Sequence, residues 1–293
     1  MHRSREMDGI DPRLHAAYDA CRRMQLRHDP TYYWATRRLP ADVRPAVHAL
    51  YGFVRTADEI VDGPRRAPDP ASRRAALERL EGELGDGSGA RARPAVAALL
   101  DAGRRHDLPL GELSVYMRSM RSDCGPVRIG DWDELVAYME GSAGSVGRIM
   151  APLLGAPPER HESFARLGLA FQLTNFIRDV REDLSLDRVY LPAEDRRRHG
   201  VRVQDIAAGW ATPAFRALLA EQVARARGLF ADGEAGGAAV APQMRRGIAL
   251  ARAVYLGVLD RVEAIGFDVL RRRASLPPWA LAGAVAHGLR SGS

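Results

Sequence analysis

Gln172, Asn175, Asp179 and Asp183 follow one another at spacings of three, four and four residues, and a helix is the element that puts such a series on one face. Around them stand Leu169, Phe171, Leu173, Phe176, Ile177 and Val180, which would bury much of the rest of that helix. A polar stripe in apolar surroundings is costly unless its groups are paired or coordinate something. The alternative is an amphipathic helix with its polar face in water. Helical periodicity extends along the whole chain. Val47, Leu50, Tyr51, Val54, Ala57 and Val61 predict a helix over Ala41–Asp62, ended by Gly63-Pro64. Asp11-Pro12 reads as a capped start of a helix running to His28. Further helical patterns cover Ala71–Leu84, Arg93–His106, Leu110–Arg121, Asp131–Leu154, Pro158–Leu184, Ala211–Phe230, Pro242–Ile265 and the stretch after Pro277. Alternating runs of β-branched residues are absent, so no strand is expected. Gly85–Gly89 and Asp232–Gly237 read as surface loops. Neither loop separates two self-sufficient halves and no repeat of fixed period is found, so one all-α domain over residues 1–293 is the expectation.

A second acidic pattern sits in the Ala41–Asp62 helix. Asp58 and Asp62 are four apart on one face, with Arg55 three residues before Asp58. Like charges at this spacing repel, and a solvated acidic helix end is the simple reading of the pair alone. Two helices that each offer an oxygen-rich face, each with an arginine (Arg55, Arg178), allow a sharper one. Mg²⁺ takes one or two carboxylates together with substrate phosphates and waters, and arginine neutralises phosphate oxygens through its planar fork. The chemistry such a pair of faces supports is departure of diphosphate from an allylic carbon, with an apolar cavity sheltering the carbocation.

The basic residues bear on the choice of partner. All 43 are arginine, there is no lysine, and the net charge is +6. A GC-rich genome explains arginine-only usage as readily as a phosphate ligand does. A nucleic-acid-binding protein is the competing class, and it predicts affinity that falls steeply with salt. Arginines and acids are interspersed, however, as in Arg178–Asp183, and Arg196–Arg198 and Arg271–Arg273 are short clusters. No nucleic-acid partner is therefore expected. Cys21 and Cys124 have no metal-like spacing, no apolar run reaches the ~20 residues of a membrane span, and Met1–Asp11 lacks a secretory apolar stretch. These features predict a cytoplasmic protein. Leu276–Ala282 beside Arg271–Arg273 reads either as a helix packed on the core or as a peripheral membrane contact.

Several segments, in order, resemble the squalene/phytoene synthase family. His28-Asp-Pro-Thr31-Tyr32 is similar to its first substrate-contacting segment, and Tyr51-Gly-Phe-Val-Arg55 through Asp62 to its first aspartate motif. Tyr138–Gly147 resembles its tyrosine and small-residue helix, Gln172–Asp183 its second aspartate motif, and Arg188-Val-Tyr190-Leu-Pro192 the tail that follows. Tyr255 and Arg272 make a shorter match near the end. The resemblance implies a helical isoprenoid synthase fold with a central cavity and a prenyltransferase dependent on Mg²⁺, with Mn²⁺ as a substitute. It implies metal ligands at Asp58, Asp62, Asn175, Asp179 and Asp183. Diphosphate contacts fall to Arg55, Gln172, Arg178, Tyr51, Tyr255 and Arg272, with His28, Thr31, Tyr32 and Arg188 as further substrate contacts. Tyr138 would stand near the reacting carbons and assist proton or leaving-group chemistry. Two geranylgeranyl diphosphates joined head to head would give phytoene, a carotenoid precursor, without NADPH.

Three positions depart from the family's usual pattern: Asp29, Trp34 and Arg181. An acid at 29 would repel an incoming phosphate, and a tryptophan at 34 facing the cavity would shorten it. The simpler alternatives place Trp34 in the core and Arg181 in solvent. If the departures matter, the chain would instead transfer a short prenyl group, such as dimethylallyl, to an aromatic acceptor such as a carbazole.

Overall fold

The computed structural model describes residues 6–86 and 92–274, and helices make up most of it. After a 3₁₀ turn at Pro12–Leu14 come α1 (His15–His28), α2 (Pro30–Thr36), α3 (Arg44–Val61), α4 (Pro70–Gly85), α5 (Pro94–His106) and α6 (Glu112–Ser122). A two-residue strand β1 (Val127–Arg128) precedes α7 (Trp132–Met139), a π turn at Glu140–Gly144 and α8 (Ser145–Leu153). A 3₁₀ turn at Pro158–Arg160 leads into α9 (His161–Arg178), then α10 (Val180–Ser185) and strand β2 (Arg188–Val189). The chain continues through α11 (Ala193–Arg198), α12 (Val203–Ala207), α13 (Pro213–Asp232), α14 (Glu234–Ala238) and α15 (Pro242–Ala264).

The starts of these helices follow from local chemistry. Asp69 accepts the Ser72 N–H at 2.7 Å ahead of Pro70, and Thr212 accepts that of Phe215 at 3.1 Å ahead of Pro213. In each case a side-chain oxygen satisfies an orphan donor, and proline follows where no N–H is needed. α9 lies at the centre. Its buried residues, including Phe164, Leu169, Leu173 and Ile177, face several directions, as expected of a helix enclosed by α7, α8, α13 and α15. Glycines let it approach closely: a methyl group on Gly168 would strike the Ala143 carbonyl, and one on Gly147 the Phe164 carbonyl.

Five features differ from the sequence expectation. The Pro158–Leu184 helix breaks at Asp179 (φ −104°, ψ 17°), where aspartate, a poor helix-interior residue, precedes β-branched Val180. The bonds Asp179 N–H to Asn175 O (2.8 Å) and Asp183 N–H to Asp179 O (2.9 Å) carry the register across the break. The Asp131–Leu154 helix is interrupted by the π turn at Glu140–Gly144, where Gly141 packs on Ser119. Asp232–Gly237 is mostly helical, and Pro30–Thr36 forms a helix of its own. Finally, β1 and β2 form a short parallel ladder, Val127 opposite Arg188 and Arg128 opposite Val189; two residues are too few to show alternation. The expected helix after Pro277 lies outside the described residues.

Candidate active site

A cavity of about 600 Å³ runs between α3, α8, α9 and α15. On α3 and α9 the lining reads from charged to apolar along the helix, and on α15 from a phenol to apolar. On α3 the lining runs from Asp62 and Asp58 through Arg55 and Tyr51 to Leu50 and Val47. On α9 it runs from Asn175 and Gln172 through Phe171 to Leu167 and Phe164, with Asp179 and Asp183 beyond the charged end. On α15 it runs from Tyr255 through Ala251 to Ile248 and Gly247. Val47 and Asp62 are fifteen positions apart, a span of about 22 Å at 1.5 Å per residue.

The charged end holds both aspartate motifs. Burial, with Asp62 and Asp123 nearby, pushes the Asp58 carboxyl up to about 7, while Arg55 opposes the shift. Burial and the neighbouring Asp179 push Asp183 up to about 8, opposed by Arg188. Arg188 itself is 6% exposed and donates to Asp62 Oδ2 at 2.8 Å and to the Asp123 carbonyl at 2.7 Å. Arg178 closes on Asp179, Nε to Oδ1 at 2.8 Å. Arg55 pairs with Glu59, whose Oε1 is 4.0 Å from His28 Nδ1. Tyr32 and Tyr51 stand side by side, ring centroids 6.2 Å apart, and burial raises both phenols. Tyr255 packs on Phe171 at 4.3 Å, and burial raises its phenol to about 12.

Among the described residues, no three His, Cys, Asp or Glu side chains converge closely enough to hold a metal ion by themselves. The acids are instead shared between α3 and the α9–α10 segment. That division fits a hard cation that takes a carboxylate or two from protein and its remaining oxygens from phosphate and water. Two raised carboxyls in one cavity are groups that a cation would relieve. Arg55 Nε and Arg188 Nε are buried there without a hydrogen-bond partner, as donors awaiting an anion would be.

Of the sequence-derived residues, the cavity gathers His28, Tyr32, Tyr51, Arg55, Asp58, Asp62, Tyr138, Gln172, Asn175, Arg178, Asp179, Asp183, Arg188 and Tyr255. Thr31 lies on α2. Arg272 does not join them: it is exposed and off the cavity, because the chain has already left α15 and turned away. Trp34 is neither cavity wall nor core. It is 56% exposed, edge-on to Tyr33, so it does not shorten the cavity. Arg181 is exposed, as its solvent-facing reading requires, and donates to the Leu270 carbonyl at 3.2 Å. Asp29 does line the cavity, and it also caps α2 by accepting the Tyr32 N–H at 2.8 Å. Of the three departures, only Asp29 faces the cavity.

Asp123 escaped the sequence reading. It accepts from Tyr190 at 3.1 Å and from Tyr138 at 2.5 Å, and burial raises it to about 6. Tyr138 therefore enters as a neutral phenol already donating to a carboxylate, its own ionisation pushed far up by burial. Phe176 stacks on Tyr190 at 3.8 Å and completes this aromatic corner. No spacing marks Asp123, since its partners come from α7 and from the residue that follows β2; Tyr190 was visible within the Arg188–Pro192 segment. Tyr116, which donates to Val54 O at 3.2 Å and approaches Asp58 at 3.4 Å, was also missed.

Opposed acidic and arginine-bearing walls above an apolar pocket, in an all-helical fold, define the class of isoprenoid synthases. Residues 25–280 match the squalene/phytoene synthase family. A phytoene synthase from Thermus thermophilus is 39% identical over 267 residues, 89% of each chain. A 15-cis-phytoene synthase from Synechococcus elongatus is 32% identical over 286 residues, covering 91% of this chain and 90% of the relative. The crystal structure of a squalene synthase from Alicyclobacillus acidocaldarius has a TM-score of 0.80 at 28% identity, covering 89% of this chain and 98% of that one. A dehydrosqualene synthase shares the fold at TM-score 0.87 and 22% identity, over 95% and 97% of the chains. The chain belongs to the squalene/phytoene synthase family, and it is a prenyltransferase. Among the described residues, no helix is long and apolar enough to cross a membrane.

Proposed function

We propose that this enzyme joins two geranylgeranyl diphosphates head to head to give phytoene, a step of carotenoid biosynthesis. The observation that carries the reading is the cavity's polarity along its length, charged at one end and apolar over the rest. The sixteen-carbon main chain of a geranylgeranyl group, at about 1.25 Å of reach per bond of about 1.5 Å, extends about 20 Å. The span from Asp62 to Val47 is about 22 Å, so one such chain reaches from the acids to the apolar end. The 39% identical Thermus relative, named a phytoene synthase, points the same way.

Asp58 and Asp62 on one wall, with Asn175, Asp179 and Asp183 on the other, would hold Mg²⁺, which when bound neutralises charge on the leaving diphosphate. Arg55, Arg178 and Arg188 then exchange their carboxylate partners for diphosphate oxygens in part, so the charge that develops as the allylic C–O bond breaks meets donors already in place. Gln172, Tyr51, Tyr32 and Tyr255 orient the diphosphates from the sides, with His28 and Thr31 assigned as further substrate contacts. The cation at the first allyl carbon is taken by the double bond of the second substrate. Loss of a proton closes a cyclopropyl intermediate; departure of the second diphosphate, rearrangement and loss of another proton leave a central double bond. No reductant enters this balance. Tyr138, held by Asp123, faces the reacting carbons as a fixed dipole.

The test is a chain-length series with Mg²⁺. Geranylgeranyl diphosphate should give the highest kcat/KM, with farnesyl and geranyl diphosphates progressively poorer. A preference for dimethylallyl diphosphate with consumption of an aromatic acceptor would replace this reading.

A further inference from the structure

The cavity comes within one side chain of the surface at its apolar end. Leu39, in the loop between α2 and α3, lines the cavity and also an outer groove of about 480 Å³. The rest of the groove is Arg38, Pro40 and Asp42 from that loop, and Gln243, Met244 and Arg246 from α15. Leu39 can close the partition because α15 carries glycine opposite it: a Cβ on Gly247 would lie 2.7 Å from Leu39 Cδ2.

The charges around this partition are unevenly committed. Arg37 and Arg44 are both taken by Glu6, at 2.8 and 2.6 Å. Arg38 and Arg246 are exposed, and among the described residues neither guanidinium has an ion pair or hydrogen bond. Trp34, one turn before Arg38, is one of the few large apolar side chains in solvent. Two free arginines at a groove that also presents Leu39, Pro40 and Met244, with an exposed tryptophan one turn away, are the chemistry of an anionic lipid interface, where the cations meet headgroups and the indole sits among them.

We propose that this groove docks on an anionic lipid bilayer and that the product leaves past Leu39 into it. The exit half rests on the phytoene reading; the docking half does not. A hydrocarbon that has lost both diphosphates has no affinity for the charged mouth, and leaving through it would place apolar surface in water. Leaving past Leu39 moves it from one apolar medium to another, by rotation of one side chain held between a loop and a glycine. The substrate, which carries the diphosphate, has the opposite preference and uses the charged end. Substrate entry and product exit are thus separated by about the length of the cavity.

The test uses the full chain and flotation on vesicles. Wild type should float with phosphatidylglycerol vesicles at low salt and not with phosphatidylcholine vesicles. Arg38→Glu/Arg246→Glu should partition on the order of thirtyfold more weakly, from the loss of two headgroup contacts. Trp34→Ser should weaken it less and by a salt-independent amount. Phosphatidylglycerol should speed steady-state turnover in wild type and not in the double variant, with single-turnover rates equal in the two. Failure of wild type to float, or equal flotation of the double variant, overturns the proposal. So does a concentration-dependent dimer that Arg38→Glu/Arg246→Glu abolishes, with no flotation. Flotation as described with no turnover of geranylgeranyl diphosphate would support the docking surface and remove the phytoene reading separately.

Discussion

Replacing Asp58 by asparagine should remove activity and at the same time stabilise the metal-free protein at alkaline pH. Burial, with Asp62 and Asp123 nearby, raises this carboxyl from 3.8 to about 7. Between about pH 4 and pH 7 the folded chain therefore keeps a proton that the unfolded chain has released. Stability changes with pH as protons bound by the unfolded state minus those bound by the folded state, so it falls as pH rises through this window. Three units correspond to about 4 kcal/mol at 1.36 kcal/mol per unit. The carboxyl borders a cavity open to water, which screens it, and about half that figure, about 2 kcal/mol, is the expected effect. Asp183, raised to about 8, acts with the same sign and extends the window upward. The assay is urea unfolding in EDTA at about pH 5.5 and about pH 8.5. At the lower pH the folded acid is protonated but the unfolded one has already released its proton, so Asp58→Asn should be ahead by about 1 kcal/mol. At the higher pH Asp58→Asn should be the more stable by about 2 kcal/mol. Parallel pH dependence in the two proteins would refute the reasoning, because it would mean that Asp58 ionises without cost.

Arg188→Met should cost about 1–3 kcal/mol in unfolding experiments, because it leaves the Asp123 carbonyl without its buried donor while Asp62, 40% exposed, stays hydrated; no measurable loss would mean that another donor reaches that carbonyl. Tyr138→Phe and Asp123→Asn should each lower kcat, and the double variant should be little worse than either single one. Additive losses would mean that the two residues act separately. Arg178→Ala should raise KM for prenyl diphosphate by about tenfold or more, the loss of a charge-assisted contact, whereas Arg272→Ala, off the cavity, should leave it within about twofold.

Much of this was readable in the sequence because helical spacing survives folding. The α3 stripe from Val47 to Asp62 forms one cavity wall as its three- and four-residue intervals require. The Gln172–Asp183 series kept its common face even though the helix breaks at Asp179, since the backbone bonds on either side preserve the register. What escaped depends on residues far apart in the chain. Arg188 meets Asp62 from 126 positions away, brought there by a strand pair too short to signal itself. Asp123 collects Tyr138 and Tyr190 from two other elements. Trp34 shows a different limit: bulk is visible in a sequence, but direction is not, and its side chain points to solvent. Arg272 was placed by a short local match, and the turn after α15 carries it away from the cavity.

In the proposed reaction one cavity ionises two prenyl diphosphates and releases a hydrocarbon. The measurement that tests it most directly is the ratio of diphosphate released to product formed, with geranylgeranyl diphosphate and Mg²⁺ as the only additions. Two diphosphates per molecule of phytoene, with no NADPH consumed, is the predicted result. One diphosphate per product, with a second molecule required as acceptor, would contradict it.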